Sequence, residues 1–321
     1  MTFLGTEVDD RIDAIVLAGD KTGSKNFAGK NKMLLEVAGK PLLRYVVDAL
    51  DRVERIRRII VVGPADDIHR VLALEPLQSD FDVLEQKDTA YQNFWSSFVF
   101  TLGDSYQPGD EQSDPAIENR PVLGVPCDTP FISTNEINEF LDAAYHANLD
   151  YGIGMTEQRY LERFYPTEDK PGIRMTYLHL ADASLRLNNL HFIKPFRVRN
   201  RAYIEQIYEF RYQKQFFNML KVFVAIIRTQ GSGLFPVYMY LMLQLSVQFE
   251  RLSWHSALSF TRSKVTREAI AGYSCLLLQA DVNIVETTGG GCTIDVDNED
   301  DYNTIQLRFD EYRGSSIDEN C

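Results

Sequence analysis

The chain has 321 residues, of which 45% are hydrophobic and 25% are charged, so it can bury a large core and is not expected to be mainly disordered. Its formal net charge of −13 disfavours a nucleic-acid-binding surface, because neutralising nucleic-acid phosphates requires clustered lysine and arginine. The four cysteines form no CxxC pair, which disfavours a zinc site, and no signal peptide is indicated at the N-terminus. We therefore expect a globular cytoplasmic protein with free thiols.

Residues 12–63 alternate apolar runs with an amphipathic segment. Residues 12–18 (IDAIVLA) predict a buried strand that ends at Gly19, and Ile56–Gly63 predicts a second strand. Between them, Pro41 precedes apolar residues at helical spacing, as is typical of a helix with proline in its first turn. Strand, helix and strand in this order predict a parallel sheet with right-handed crossovers.

The remaining elements are predicted from the same periodicities. Before residue 151 they are a strand at 82–84, a helix at 93–102, a polar surface loop at 107–119, a strand at 121–126 and a helix at 135–147 capped by Ser133 or Thr134. After it they are strands at 173–180 and 187–193, a mostly helical stretch at 199–278 and a short strand at 293–296.

Residues 229–249 carry no charge and are long enough to span a bilayer. Glutamines, glycines and a proline dilute their hydrophobicity, so we first interpret the segment as a helix buried in the protein or at a contact between copies of a homo-oligomer. Peripheral contact with a membrane through residues 216–249 is the alternative.

The loop after the first strand is rich in glycine and lysine, within the sequence LAGDKTGSKNFAGKNKMLLEVAGKPLL at residues 17–43. Glycines after a strand let backbone N–H groups approach phosphate oxygens, and lysines supply compensating charge. The spacing matches neither a Walker motif nor GxGxxG, so from the residues alone a solvated turn is an equal alternative.

Two acidic elements follow. The sequence PVLGVPCDTPFIS at residues 121–133 ends an apolar strand in Asp-x-Pro, which presents Asp128 at the carboxyl edge of the sheet. A carboxylate there suits Mg²⁺, although a capping role after the strand is the alternative. The sequence TIDVDNEDDY at residues 293–302 concentrates acidic residues, which fits either a cation site or a solvated acidic turn.

These three elements, in this order, resemble the MobA-like nucleotidyltransferases of the sugar-phosphate nucleotidyltransferase superfamily, above all the molybdenum-cofactor guanylyltransferase branch. The resemblance covers residues 12–193 and 293–302. It implies an α/β fold with a doubly wound, Rossmann-like mixed sheet of the GT-A type and a C-terminal helical insertion. The expected units are residues 10–195 plus 280–310 for the α/β domain and 196–279 for the insertion.

The resemblance also implies roles for individual residues. The catalytic residues would be Lys32, Lys25 and Asp128, and the metal ligands for Mg²⁺ would be Asp128 and Asp295. The nucleotide would be bound by Leu17, Ala18, Gly19, Lys32, Thr89 and Asn93. Asn189 would contact the acceptor, although an ordinary turn explains it as well, just as a helix cap explains Thr89 and Asn93.

The implied reaction is the Mg²⁺-dependent transfer of a nucleoside monophosphate from a nucleoside triphosphate to a small phosphorylated acceptor, with release of pyrophosphate. Asp20 departs from the family pattern and places a negative charge where a phosphate would approach. With the apolar helical region, it motivates an alternative, a nucleotide-binding regulator or scaffold with weak or no catalysis. A nucleotide-sugar-dependent glycosyltransferase is disfavoured, because such enzymes usually have Asp-x-Asp where this chain has Cys127-Asp128-Thr129.

Overall fold

The computed structural model of the chain describes residues 11–19, 31–201, 203–204 and 235–317. Most of the lysine-rich loop, including Lys25 and Asp20, therefore lies outside the described residues. The same holds for residues 205–234 within the predicted helical insertion.

The strands are β1 (Ile12–Leu17), β2 (Glu36–Val37), β3 (Lys40–Pro41), β4 (Ile56–Gly63), β5 (Asp80–Glu85), β6 (Val122–Pro126), β7 (Tyr151–Glu157), β8 (Leu178–His179), β9 (Ser184–Ile193) and β10 (Val282–Thr287). The helices are α1 (Leu42–Asp51), α2 (Ala65–Leu72), α3 (Ala90–Thr101), α4 (Pro115–Glu118), α5 (Thr134–His146), α6 (Phe235–Arg251), α7 (His255–Arg262), α8 (Arg267–Leu278) and α9 (Glu299–Ile317).

The central sheet has the strand order β10-β7-β9-β6-β1-β4-β5, with β8 paired to β9. Its pairs are parallel except where β9 meets β6, β7 and β8, so the sheet is mixed and mostly parallel, as predicted. β1 lies between β4 and β6, and the direction of winding reverses there. Such a reversal opens a crevice at the carboxyl ends of the strands, where ligands bind in open α/β sheets.

Two apolar clusters hold this edge in place. In the larger one, α1 and α5 pack on β1 and β4 through side chains such as Val46, Leu50 and Phe140. In the second, α9 packs through Phe309 and Tyr312 onto Phe131, Phe164 and the segment of Ile294 and Val296. Because Ile294 and Val296 are buried, the positions of the acidic residues that alternate with them, Asp295 and Asp297, are fixed.

Helices α6 and α8 pack on the sheet through a separate apolar cluster. Met239, Met242 and Leu243 of α6 contact the cluster that contains Met155 of β7 and Leu185 of β9. The unit boundaries at residues 195 and 280 stay a prediction. No helix within the described residues has both the length and the hydropathy to cross a membrane.

Several predicted elements were wrong. Residues 173–180 form a strand only at Leu178–His179, and residues 293–296 form no strand: the 3-10 turn Gly291–Thr293 leads into an extended segment. The predicted loop 107–119 contains α4.

Strands β7 and β10 were not predicted. Glycines at 152 and 154 weaken the apolar signal of β7, and Gly154 is required there because a Cβ would lie 1.9 Å from Oδ1 of Asn188. In β10, polar residues interrupt a short apolar run.

Candidate functional site

The two ends of the lysine-rich loop meet at the carboxyl end of β1. The side-chain amide of Asn31 donates to the carbonyl oxygen of Ala18 over 3.5 Å, and its Oδ1 accepts from the backbone N–H of Met33 over 3.1 Å. The backbone N–H of Ala18 donates to the carbonyl oxygen of Val62 over 2.9 Å. This N–H is therefore already paired within the sheet, and a contact of Ala18 with a nucleotide stays a prediction.

Lys32 is buried and lies between two carboxylates. Its Nζ is 3.2 Å from Oδ2 of Asp128 and 3.6 Å from Oδ1 of Asp297. Burial alone would lower the pKa of Lys32, but the negative charges of Asp128 and Asp297 outweigh burial and raise this pKa. Lys32 is therefore a fixed positive charge at the carboxyl edge of the sheet.

The acidic segment after residue 293 reaches the same place. The backbone N–H of Val296 donates to the carbonyl oxygen of Asp128 over 3.1 Å, which brings Asp295 and Asp297 beside Asp128. Asp295 also accepts from Nη2 of Arg186 over 3.2 Å. The structure thus brings together Lys32, Asp128 and Asp295, as the sequence predicts.

Sequence reasoning missed two members of this cluster. Asp297 stands in the acidic run, and its alternation with Asp295 was the available signal. Arg186 lies within β9, and its local sequence carries no signal of a charged partner 109 residues away.

Two carboxylates of this cluster, those of Asp128 and Asp295, have raised pKa values. Burial, reinforced by the charge of Asp297, raises the pKa of Asp128 despite the nearby Lys32. Burial, followed by the charges of Asp297 and Asp128, raises the pKa of Asp295 to about 6. Three carboxylates face two cations, so a further cation would lower the repulsion.

The donor set fits a hard divalent ion. Mg²⁺ is usually held by one or two carboxylates together with water and substrate phosphates, and Asp128 and Asp295 supply such a pair. In the part of the chain that the structure describes, no three acidic, histidine or cysteine side chains form a complete metal-binding set.

A buried carboxylate supports the loop that leads to Asp295. Glu136 of α5 accepts hydrogen bonds from the backbone N–H groups of Gly290 and Cys292, each over 3.0 Å, and from Oγ1 of Thr287 over 2.8 Å. The predicted acceptor residue Asn189 also contacts this loop, because its amide donates to the carbonyl oxygen of Cys292 over 3.1 Å. Asn189 therefore braces the loop in the structure, and its contact with an acceptor stays a prediction.

The segment 86–93, which contains the predicted nucleotide-binding residues Thr89 and Asn93, lies against the end of β1. A Cβ at Gly19 would lie 3.0 Å from Nδ2 of Asn93 and 3.2 Å from Oε1 of Gln86. Oδ1 of Asn93 accepts from the backbone N–H of Lys87. Thr89 caps α3, since its Oγ1 accepts from the backbone N–H of Gln92 over 3.1 Å. Contacts of Thr89, Asn93, Gly19 and Leu17 with a nucleotide stay predictions.

The mostly parallel sheet with one antiparallel strand inserted next to β6 is a GT-A-like α/β fold. Within that fold class, the MobA-like NTP transferase domain family matches residues 14–213, more than half of the chain, and the chain belongs to this family.

Two comparisons agree with this assignment. A probable molybdenum cofactor guanylyltransferase of Pyrococcus horikoshii is 31% identical over 75 residues, which are 23% of this chain and 38% of that protein. The solved structure of a hypothetical transferase from Thermus thermophilus has a TM-score of 0.54 at 17% identity and covers 91% of this chain and 99% of its own. The second likeness shows the fold alone.

Proposed function

We propose that the protein transfers a nucleoside monophosphate from a nucleoside triphosphate to a small phosphorylated acceptor and releases pyrophosphate. The observation that carries the proposal is the position of Lys32, a buried cation between Asp128 and Asp297 at the carboxyl edge of the sheet. Membership of the MobA-like family supports the same reaction.

In this proposal Asp128 and Asp295 hold Mg²⁺. When bound, the ion would neutralise charge on the triphosphate and orient it. Arg186 keeps the Asp295 carboxylate in place through its ion pair, and Glu136 fixes the loop that precedes Asp295.

The reaction needs little covalent chemistry from the protein. An oxygen of the acceptor phosphate attacks the α-phosphorus in line, the bond from the α-phosphorus to the oxygen bridging to the β-phosphorus breaks, and pyrophosphate leaves with that electron pair. Positioning and charge compensation dominate such transfers. Lys32, with Lys25 of the loop, would offset charge that builds on the α-phosphoryl and pyrophosphate oxygens.

A direct test measures pyrophosphate release with each of the four ribonucleoside triphosphates and Mg²⁺, against a panel of acceptors that includes sugar phosphates and the molybdenum cofactor. We expect release with one triphosphate and one acceptor class. Calorimetric titration of the same triphosphates runs in parallel.

The same assays separate the alternatives. Binding of a triphosphate without turnover on the whole panel would favour the regulator. Release of a nucleoside diphosphate from a nucleotide sugar would favour the glycosyltransferase. Either result would overturn the proposed reaction.

A further inference from the structure

A cavity of about 360 Å³ lies outside the site described above, between α1, the beginning of α5 and α9. We refer to it as the α1–α9 cavity. Its charged lining residues are Lys40, Asp48, Arg52 and Arg313, and the segment 130–135 forms one wall. That segment directly follows Asp128, so the cavity and the candidate site share a stretch of backbone without sharing side chains.

The lining of the α1–α9 cavity is positively charged. Lys40 and Arg44 both form ion pairs with Asp48, so the one lining carboxylate is already shared by two cations. Among the described residues, neither Arg52 nor Arg313 forms an ion pair. This positively charged cluster is opposite in sign to the formal net charge of the chain, which is −13.

Two of these cations contact the same aromatic ring. Nζ of Lys40 lies 4.9 Å from the centroid of Tyr45, and the guanidinium of Arg313 lies 5.9 Å from the same centroid. Arg313 also lies 5.7 Å from the centroid of Phe309. Tyr45 is itself fixed, because its hydroxyl donates to the carbonyl oxygen of Val37 over 2.8 Å. The like charges are thus held in place around the cavity, and an anion between them would relieve their repulsion.

Further features favour an anion with phosphate chemistry. A guanidinium donates two parallel hydrogen bonds to a phosphate, and Arg52 and Arg313 line the cavity. The first turn of α5 also borders the cavity, and the positive end of its dipole adds to the side-chain charges. The volume is at the lower end of the range for small-molecule pockets, which suits a phosphorylated small molecule.

We infer that the α1–α9 cavity is a binding site for a small phosphorylated anion, separate from the nucleotide site. Arg52 and Arg313 are the residues that bind the phosphoryl group, and Lys40 completes its neutralisation. The inference does not depend on the proposed reaction, because it concerns binding alone.

Calorimetric titration of the full chain tests it, with inorganic phosphate and glucose 6-phosphate as probes at about 0.15 M ionic strength. Both arginines are exposed, so the double variant Arg52→Gln/Arg313→Gln is expected to fold normally. We expect it to bind the probes about tenfold or more weakly, since each lost hydrogen bond between charged groups weakens binding strongly. Arg251→Gln, at an exposed arginine of α6, is the control for a simple change in net charge.

Phosphate can also enter the candidate nucleotide site, so a Lys32→Ala variant distinguishes the two locations. The inference predicts that Lys32→Ala retains one site of wild-type affinity, which the double arginine change then removes. Equal affinity of Lys32→Ala with and without the double arginine change would overturn it. So would the absence of measurable binding to the wild type, or loss of all binding in Lys32→Ala alone.

Discussion

The backbone N–H of Val296 donates to the carbonyl oxygen of Asp128 over 3.1 Å, which joins two loops that are 168 residues apart in the chain. Because Val296 is buried, the residues on either side of it are presented towards Asp128 and Lys32. This single backbone contact explains why Asp128, Asp295 and Asp297 crowd one edge of the sheet.

Replacement of the buried lysine tests charge compensation at the site. Lys32→Met keeps most of the side-chain volume but removes the positive charge between Asp128 and Asp297. We expect the rate of pyrophosphate release to fall by about 10²- to 10³-fold, the usual loss when a charge-stabilising donor is removed. Lys264→Met, at an exposed lysine, is the matched control. Full turnover in Lys32→Met would contradict the assigned role.

Asp295→Asn is expected to raise the stability of the fold and to lower activity. Burial and two neighbouring carboxylates raise the pKa of Asp295 from 3.8 to about 6. At pH 8 Asp295 is therefore ionised in the folded protein, although its surroundings make the negative charge unfavourable. The isosteric amide removes that cost, so the free energy of unfolding should rise by on the order of 1–3 kcal/mol at pH 8. Turnover should fall sharply, because a candidate metal ligand is lost.

Urea denaturation and the pyrophosphate assay together measure the effect of Asp295→Asn. The control is Asp297→Asn, whose side chain is 61% exposed and which should change stability much less. A variant of Asp295 that is less stable yet fully active would refute the assignment.

Glu136→Gln tests the support of the acidic loop. The carboxylate accepts from the backbone N–H groups of Gly290 and Cys292, and an amide NH₂ would face one of these donors. Because Gly290 and Cys292 are buried, water does not readily replace the lost acceptor, and the free energy of unfolding should fall by about 1–3 kcal/mol. The Mg²⁺ concentration needed for half-maximal turnover should also rise.

Glu139→Gln is the matched control one turn further along α5. Glu139 accepts from Thr288 at an exposed position, so its replacement should cost less in urea denaturation and leave the Mg²⁺ requirement unchanged. Equal effects of the two changes would show that Glu136 has no special part in positioning the loop.

Glu311→Gln is predicted to have an effect that depends on pH. Hydrogen bonds from Arg308 and Lys170 lower the pKa of Glu311 from 4.5 to about 2. A lowered folded-state pKa means that the ion pairs stabilise the fold above pH 4.5 and lose this contribution as the pH falls towards 2. The Tm difference between wild type and variant should therefore be largest at neutral pH and narrow on acidification.

The comparison with Asp310→Asn isolates the ion pairs of Glu311, since Asp310 is an exposed acid on the same helix. Added salt should shrink the Tm difference of Glu311→Gln, because the pairs are at the surface. A Tm difference that is constant from pH 7 to low pH would rule out this account.

Local patterns predict much of the fold. β1, β4 and β6 are almost continuously buried, so they appear in the sequence as apolar runs. α1 and α5 are buried on one face, so they appear as apolar residues at helical spacing. The position of Asp128 follows directly, because a residue just after a parallel strand must lie at the carboxyl edge of the sheet. β7 and β10 could not be predicted in this way. A glycine required by packing weakens the apolar pattern of β7, and polar residues interrupt that of β10.

The sequence by itself determined the mixed α/β class, the order of the three motifs and the residues Lys32, Asp128 and Asp295 as a candidate set. Only the tertiary structure decided that Arg186 pairs with Asp295, that Asp297 reaches Lys32 and that Glu136 holds the loop at Gly290. The physical reason is that a periodic pattern encodes which face of an element is buried. The partners of buried charges depend on which distant loops meet in the fold, and the sequence around each residue does not reveal this.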